Sequence, residues 1–273
     1  MRSIYNIIGV VALAIVACSQ AMAADARTTA EACWREGIAA YEAKDFGSAV
    51  ASFERVAELG YASADLYYNL ANSYFKLGEQ ASEEGLNKFS GGELGRAVLN
   101  YHRALRLDPT LEDARYNLDL AVDHTNDTEA LPDSFIVTIW RGVSNLAHTN
   151  SWALASLVML GLMLGLVIFY LLSNSITLRM VSFFGAIILF ISLIFSVAFA
   201  LYSRGEAEDD SRAVVICADT TPVHASPESG SKVIRQPSQG VTVRVSRKHG
   251  DWSEIIFADG EKGWIRSAKI EQI

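Results

Sequence analysis

Two apolar stretches, residues 151–172 and 180–202, most constrain what this 273-residue chain can become. Each matches the roughly 20 helical residues that cross a hydrocarbon core of about 30 Å. Neither contains a charged residue, and their connector, residues 173–179, is too short to form a domain. The pair reads as a helical hairpin through a membrane, which puts both flanking segments on the same side. Uncharged spans disfavour a transport or proton pathway, because such pathways need ionisable groups at membrane depth. Gly161 and Gly165 in the first span, and Ser192, Ser196 and Ala200 in the second, are small residues at four-residue spacing. Faces of that kind let helix backbones approach closely. They are expected to pair the two spans, with association to other membrane proteins as the alternative.

The N-terminus sets the orientation. Residues 1–23 read as a secretory leader, with Arg2, an apolar run over 4–17, and Ala21-Met22-Ala23 as an A-x-A cleavage site. A second reading takes Ile15-Val16-Ala17-Cys18 as a lipobox-like string with Cys18 lipidated. Either way the leader places residues 24–150 outside the cytoplasm, and the second span brings the C-terminal segment back to that side. In a bacterium the chain is then an inner-membrane protein with both soluble parts in the periplasm. Arg179 in the inner connector, and Glu206, Glu208, Asp209 and Asp210 on the outer flank, agree with the positive-inside rule.

Charge narrows the function classes. Residues 24–131 carry 10 Lys+Arg against 19 Asp+Glu, and residues 211–273 carry 9 against 7. No basic patch is present to release counterions from nucleic acid, which excludes that partner. After the leader, Cys33 and Cys217 remain, one in each soluble part, and read as apolar thiols rather than a disulfide. His102, His124, His148, His224 and His249 are scattered without metal-ligand spacing, and no nucleophile elbow or phosphate loop occurs. A non-enzymatic protein with no cofactor and no metal is expected.

Residues 24–123 show a helical repeat. Gly37, Phe46, Ala49 and Phe53, then Leu70, Ala71, Tyr74 and Gly78, then Ala97, Tyr101, Ala104, Leu107 and Pro109 stand at the small and aromatic offsets of a period of about 34 residues. The small residues permit two helices to cross closely and the aromatics fill the space around them. This pattern resembles the tetratricopeptide (TPR) repeat. An insertion at about 79–92 interrupts it and reads as a surface loop, with a recognition element as the sharper alternative. Residues 111–123 read as a capping helix on two helix pairs. The resemblance implies a groove lined by Trp34, Ile38, Tyr41, Tyr68, Asn72, Phe75, Tyr116, Asn117 and Leu120. Asn72 and Asn117 resemble the asparagines with which TPR clamps hold a peptide backbone, but Tyr68 stands where the clamp has a lysine. Packing within the repeats is the alternative role for these aromatics.

Residues 124–150 read as a linker followed by an amphipathic helix. Phe135, Ile136, Ile139, Trp140, Val143 and Leu146 recur at helical spacing, which suits a helix lying on the membrane with Trp140 at the headgroups. Packing on the helical repeat is the alternative.

Residues 211–273 alternate apolar and polar residues in five short runs broken by turn signals, the clearest being Asp259-Gly260. That pattern points to a small all-β barrel. The strings VHASPESGSKVI, GVTVRV, GDWSEI and DGEKGWI resemble the bacterial SH3-like (SH3b) domain. The resemblance implies binding of cell-wall peptide or protein, with His224, Trp252, Phe257 and Trp264 as groove candidates and at least one tryptophan in the core. The whole order of leader, acidic TPR pairs, two spans and SH3-like end resembles the BatE family of the aerotolerance operon. That resemblance implies an envelope complex with von Willebrand A-type membrane proteins and a MoxR-like ATPase, associated with stress tolerance. The fold expected is multidomain: all-α TPR hairpins, a two-helix transmembrane hairpin and a small all-β SH3-like barrel. The function expected is a scaffold for protein partners, or a cell-wall sensor or tether whose SH3-like part binds peptidoglycan.

Overall fold

The computed structural model describes residues 26–83, 89, 91–125, 135–218 and 220–273. The expected leader and its lipobox alternative lie outside the described residues. The chain is mostly helical and ends in an antiparallel sheet.

The first five helices are α1 (described from 26 to 42), α2 (Phe46–Glu58), α3 (Ala64–Glu83), α4 (Glu93–Leu107) and α5 (Glu112–Asp123). Local chemistry fixes several ends. Asp45 caps α2 by accepting the Ser48 N–H at 3.1 Å, and Glu112 and Asp113 place negative charge in the first turn of α5, where the helix dipole favours it. Small residues sit at the crossings, as their spacing predicts. Ala49, Ala71, Ala97 and Ala104 are fully buried, and a side chain on Gly37 would run into the Phe53 ring. Phe53, Leu66, Leu99 and Tyr101 fill the space around them.

The insertion departs from a plain surface loop. Helix α3 runs on through Glu83, so its first part is helical. Phe89 is buried, with its ring 5.3 Å from Phe75 and 5.7 Å from His124. It closes over Gly78, where a Cβ would meet the Phe89 ring. One aromatic from a polar insertion thus joins the core.

Helices α6 (Phe135–Ser144), α7 (Thr149–Leu172) and α8 (Ile176–Glu208) follow. Both α7 and α8 are long and apolar enough to cross a membrane. The connector is shorter than expected, because α8 begins at Ile176. At 33 residues α8 is about 50 Å long, so its charged end, with Arg204, Glu206 and Glu208, reaches past a core of about 30 Å.

The two long helices pack through serine. Ser196 Oγ donates to the Trp152 carbonyl at 3.0 Å and also takes a 3.0 Å hydrogen bond from Ser156 Oγ. Gly185 lies against Leu166. Gly161 and Gly165, expected at this contact, meet nothing within 4 Å, so among the described residues their face is open. The rotational phase of α7 turns Trp152 and Ser156 inward instead. Ser192 is half-buried beside the Ser196 contact. Helix α6 packs on α8 rather than on the helical repeat, with the Trp140 ring 4.6 Å from Phe199 and Trp152 Nε1 donating to the Ser144 carbonyl at 2.9 Å.

The C-terminal sheet has seven strands in the order β3-β2-β6-β5-β4-β1-β7. They are β1 (Arg212–Val215), β2 (Val223–His224), β3 (Val233–Arg235), β4 (Thr242–His249), β5 (Trp252–Ile256), β6 (Lys262–Arg266) and β7 (Ile270–Gln272). Five alternating runs become seven strands because the second run folds back at Ser226–Ser231 and the last is broken by a 3₁₀ turn, Ser267–Lys269. The Asp259-Gly260 turn forms as expected. Gly260 adopts φ +87°, a left-handed conformation open to glycine, and Asp259 Oδ1 accepts the Glu261 N–H at 2.8 Å. Ala213, Val215, Val223, Val243, Ile255 and Ile265 form this module's core.

The helical and β parts are not separate bodies. Val214 and Ile273 belong to the same buried cluster as the α2–α5 residues. Gly95 on α4 lies so close to β1 that an added Cβ would stand 2.6 Å from the Val215 carbonyl oxygen. Its N–H donates to Gln239 Oε1 at 3.3 Å, and Gln239 Nε2 donates to the Phe89 carbonyl. Arg103 donates to Glu271 and to the Gln272 backbone oxygen, both at 2.8 Å.

Candidate functional site

Helices α3, α4 and α5 enclose a cleft of about 170 Å³ with Tyr41 of α1 at its edge. Tyr68, Asn72 and Phe75 come from one face of α3, where their spacing stacks them on successive turns. Asn117 and Leu120 enter from α5. Tyr101 rises from α4, almost wholly buried, and its hydroxyl donates to Asn72 Oδ1 at 2.6 Å. The same oxygen accepts from Asn117 Nδ2 at 2.9 Å, which lies 3.5 Å from the Tyr68 hydroxyl. Burial raises the Tyr101 phenol well above its usual range and raises that of Tyr41, so both stay neutral hydrogen-bonding groups.

This network orients both amides. Asn72 turns its oxygen inward, and among the described residues its Nδ2 has no acceptor and Asn117 Oδ1 has no donor. The Asn72 NH₂ group and the Asn117 oxygen thus remain on the two side chains, donors and an acceptor that can meet the C=O and N–H of a peptide backbone.

Six of the nine expected groove residues meet here: Tyr41, Tyr68, Asn72, Phe75, Asn117 and Leu120. Three do not. Trp34 packs edge-on against Phe53 at 5.4 Å and lines a different, apolar cleft of about 520 Å³ with Ala30, Val56 and Leu66. Ile38 packs against the helical core. Tyr116 is 71% exposed on the outer side of α5. Tyr101 was not among the expected groove residues because it stands on the second helix of its pair; its buried hydroxyl, which needs a partner, is the signal that points to it.

In the β module the four aromatic candidates divide. His224, Trp252 and Phe257 are buried. His224 Nδ1 lies 3.1 Å from the Ser231 carbonyl and its ring stands edge-on to Trp252 at 5.3 Å. Arg266 covers the Trp252 ring at 4.3 Å, and Arg235 covers Phe257 at 4.4 Å while pairing with Asp259 at 2.7 Å. Trp264 alone stays half-exposed. Its ring is 6.4 Å from His249 and 5.8 Å from the Arg247 guanidinium. Arg247 holds Glu254, opposite Trp264 across the strands, with two hydrogen bonds of 2.8 Å. Those bonds hold the Glu254 carboxyl down to about 2 against the opposing effect of burial.

Cys33 is half-buried and Cys217 buried, and among the described residues neither forms a disulfide. Among the described residues no group of three or more His, Cys, Asp or Glu side chains has the arrangement to hold a metal ion. Among curated proteins none matches this chain. Residues 219–271, from the segment before β2 into β7, match the family model of the bacterial SH3 domain, and β1 extends the same sheet N-terminal to that match.

Proposed function

We propose that the chain is a non-enzymatic, membrane-anchored scaffold whose helical part captures an extended peptide segment of a partner protein. The Asn72–Asn117 pair carries this reading: an aromatic cleft that leaves one amide NH₂ group and one amide oxygen unpaired suits a peptide backbone. The small and aromatic residues at the helix crossings support TPR-type repeats, and the order of segments supports a protein of the BatE type. On that reading the soluble parts face the periplasm of a bacterial inner membrane. The partners are von Willebrand A-type membrane proteins of an aerotolerance-type envelope complex.

The test is photo-crosslinking in native membranes from a benzophenone amino acid at Leu120 on the cleft rim, with Tyr61 as the control position. Capture of a membrane protein from Leu120, lost in Asn72→Ala/Asn117→Ala, is expected. Equal capture from the double variant sinks the reading.

The SH3 match and the half-exposed Trp264 favour a second reading, a wall tether that binds peptidoglycan through the β module. Full-length protein in detergent that co-sediments with purified sacculi, and fails to do so as Trp264→Ala, supports the tether. Absence of co-sedimentation excludes it.

A further inference from the structure

The connector end of the α7–α8 hairpin holds a cleft of about 320 Å³ lined by Tyr170, Ile176, Arg179, Met180, Phe183 and Phe184. Ile176, Arg179, Met180 and Phe183 recur at helical spacing, so they share one face of α8. Tyr170 closes the cleft from α7, its ring 6.1 Å from Phe183.

The charge in this cleft has no counterpart in the chain. Arg179 is the only Asp, Glu, Lys or Arg between Arg141 and Arg204. The next carboxylate along α8, Glu206, is about 40 Å away on the helix axis. Beside α7 the nearest is Asp108, which pairs with His148 at the opposite foot of that helix. Both distances are several Debye lengths, so neither carboxylate neutralises Arg179. Nor does the side chain simply extend to water. Its guanidinium folds over the Tyr170 ring, 4.8 Å from the centroid, which holds it at the apolar cleft. Among the described residues the guanidinium N–H groups have no acceptor, and the Tyr170 hydroxyl has no partner. The start of α8 at Ile176, with no side chain capping it, adds the positive end of the helix dipole within a turn of Arg179.

An unpaired fork of donors, a free phenol and apolar aromatic walls together call for an anion that carries hydrocarbon. We infer that this cleft seats an anionic phospholipid, its phosphate on Arg179 and Tyr170 and an acyl chain along Met180, Phe183 and Phe184. A guanidinium meets a phosphate through two parallel hydrogen bonds, which a carboxylate-free site leaves available. In a zwitterionic lipid the headgroup's own cation competes for the phosphate, so a net negative headgroup gains more from Arg179. The inference rests on the reading of α7 and α8 as membrane-spanning.

Native mass spectrometry of the full-length protein in non-ionic detergent tests it. The probes are dioleoyl phosphatidylglycerol, dioleoyl phosphatidylcholine and chain-free glycerol 3-phosphate. Phosphatidylglycerol is expected to bind in preference to phosphatidylcholine, and millimolar glycerol 3-phosphate is expected not to displace it. Arg179→Gln is expected to weaken phosphatidylglycerol binding about tenfold, the contribution of one charged hydrogen bond, and to abolish the preference. Arg179→Lys, which keeps the charge without the fork, is expected to recover part of the affinity. Arg204→Gln, where the arginine already pairs with Glu208 at 2.8 Å, is expected to change nothing. Equal binding of the two lipids overturns the inference, as does unchanged binding in Arg179→Gln or displacement by glycerol 3-phosphate. Carbonate washing of native membranes separates this from the reading beneath it. A chain that washes off overturns both, whereas a retained chain without lipid preference overturns the lipid site alone.

Discussion

Replacing Gly95 with alanine tests whether the helical and β parts form one body. In the interior of a helix this exchange ordinarily stabilises by about 1 kcal/mol through backbone entropy alone. Here the added Cβ would stand 2.6 Å from the Val215 carbonyl oxygen, 3.1 Å from Ile216 Cα and 3.3 Å from the Gly240 nitrogen. All three are backbone atoms, so no rotamer change relieves them. The Val215 oxygen also accepts the Gly240 N–H at 2.8 Å, which ties it to the start of β4. A carbon–oxygen contact normally lies near 3.3 Å or beyond, so β1 must retreat by about 0.7 Å. Overpacking of this kind costs about 1–3 kcal/mol, and the retreat also strains the Arg103 contacts to β7. The net expectation for Gly95→Ala is a loss of about 1–2 kcal/mol and a melting temperature lower by about 2–8 °C. Gly205→Ala, at the open end of α8 with nothing within 4 Å, makes the same chemical change without the contact and is expected to be neutral or stabilising. The assay is thermal unfolding in detergent, with hydrogen exchange at β1 reporting the interface. A Gly95→Ala protein as stable as wild type, with β1 equally protected, would refute the close docking.

Three further outcomes follow from the same geometry. Phe89→Ala empties a buried site between Phe75 and His124 and should cost about 3–5 kcal/mol in denaturant unfolding, which a surface insertion would not. His102, half-buried on α4 within 3.4 Å of Thr242 Oγ1, has its imidazole pushed down to about 3 by burial and then by Arg212, below its ordinary 6.5. Its folded form resists protonation, so stability is full above about pH 6.5 and falls as the unfolded chain takes up the proton. From pH 7 to 5 the loss is about 2 kcal/mol, and pH-dependent melts of His102→Gln should lack that component. Ser196→Ala removes both hydrogen bonds between α7 and α8 and should weaken the hairpin by about 0.6–2 kcal/mol in steric-trapping measurements, whereas Gly161→Ala leaves that contact unchanged.

What was legible in the sequence were features whose physics is local. Uncharged runs of membrane length, alanines and Gly37 at helix crossings, and the Asp259-Gly260 turn each specify their structure within a few residues. The contacts that unite the protein are long-range. Gly95 reads as one glycine near a helix start, and nothing beside it reveals that β1 arrives about 120 positions later. Phe89 is a single aromatic in a polar insertion, without the periodicity that marks a core face. The Gly161–Gly165 pair states that a close approach is possible and does not say to what. In the cleft, the first-helix offsets led to six of the residues that line it. They missed Tyr101, because its hydroxyl reaches in from the partner helix.

Arg106 shows how much depends on α4. One guanidinium donates to the Ala207 carbonyl at the end of α8 at 2.6 Å, to Asp210 at 2.5 Å and to the backbone oxygen of Ile273. The long α8, the link to the sheet and the last strand are thus held from one helix, which also carries Tyr101 into the aromatic cleft. His148 beside Asp108 at 3.1 Å adds a second tie between α4 and the foot of α7. These acceptors diverge, and only a planar fork with several fixed donors meets them all, so Arg106→Lys keeps the charge but loses the geometry. Charged hydrogen bonds contribute about 1.5–3 kcal/mol each, of which a lysine can retain roughly one. The expected result is faster hydrogen exchange in β7 and in the last turn of α8 together, with α2 and α3 unchanged. If lysine restores wild-type protection, the contact depends on charge alone. If only β7 loosens, α4 does not couple the α7–α8 hairpin to the β module.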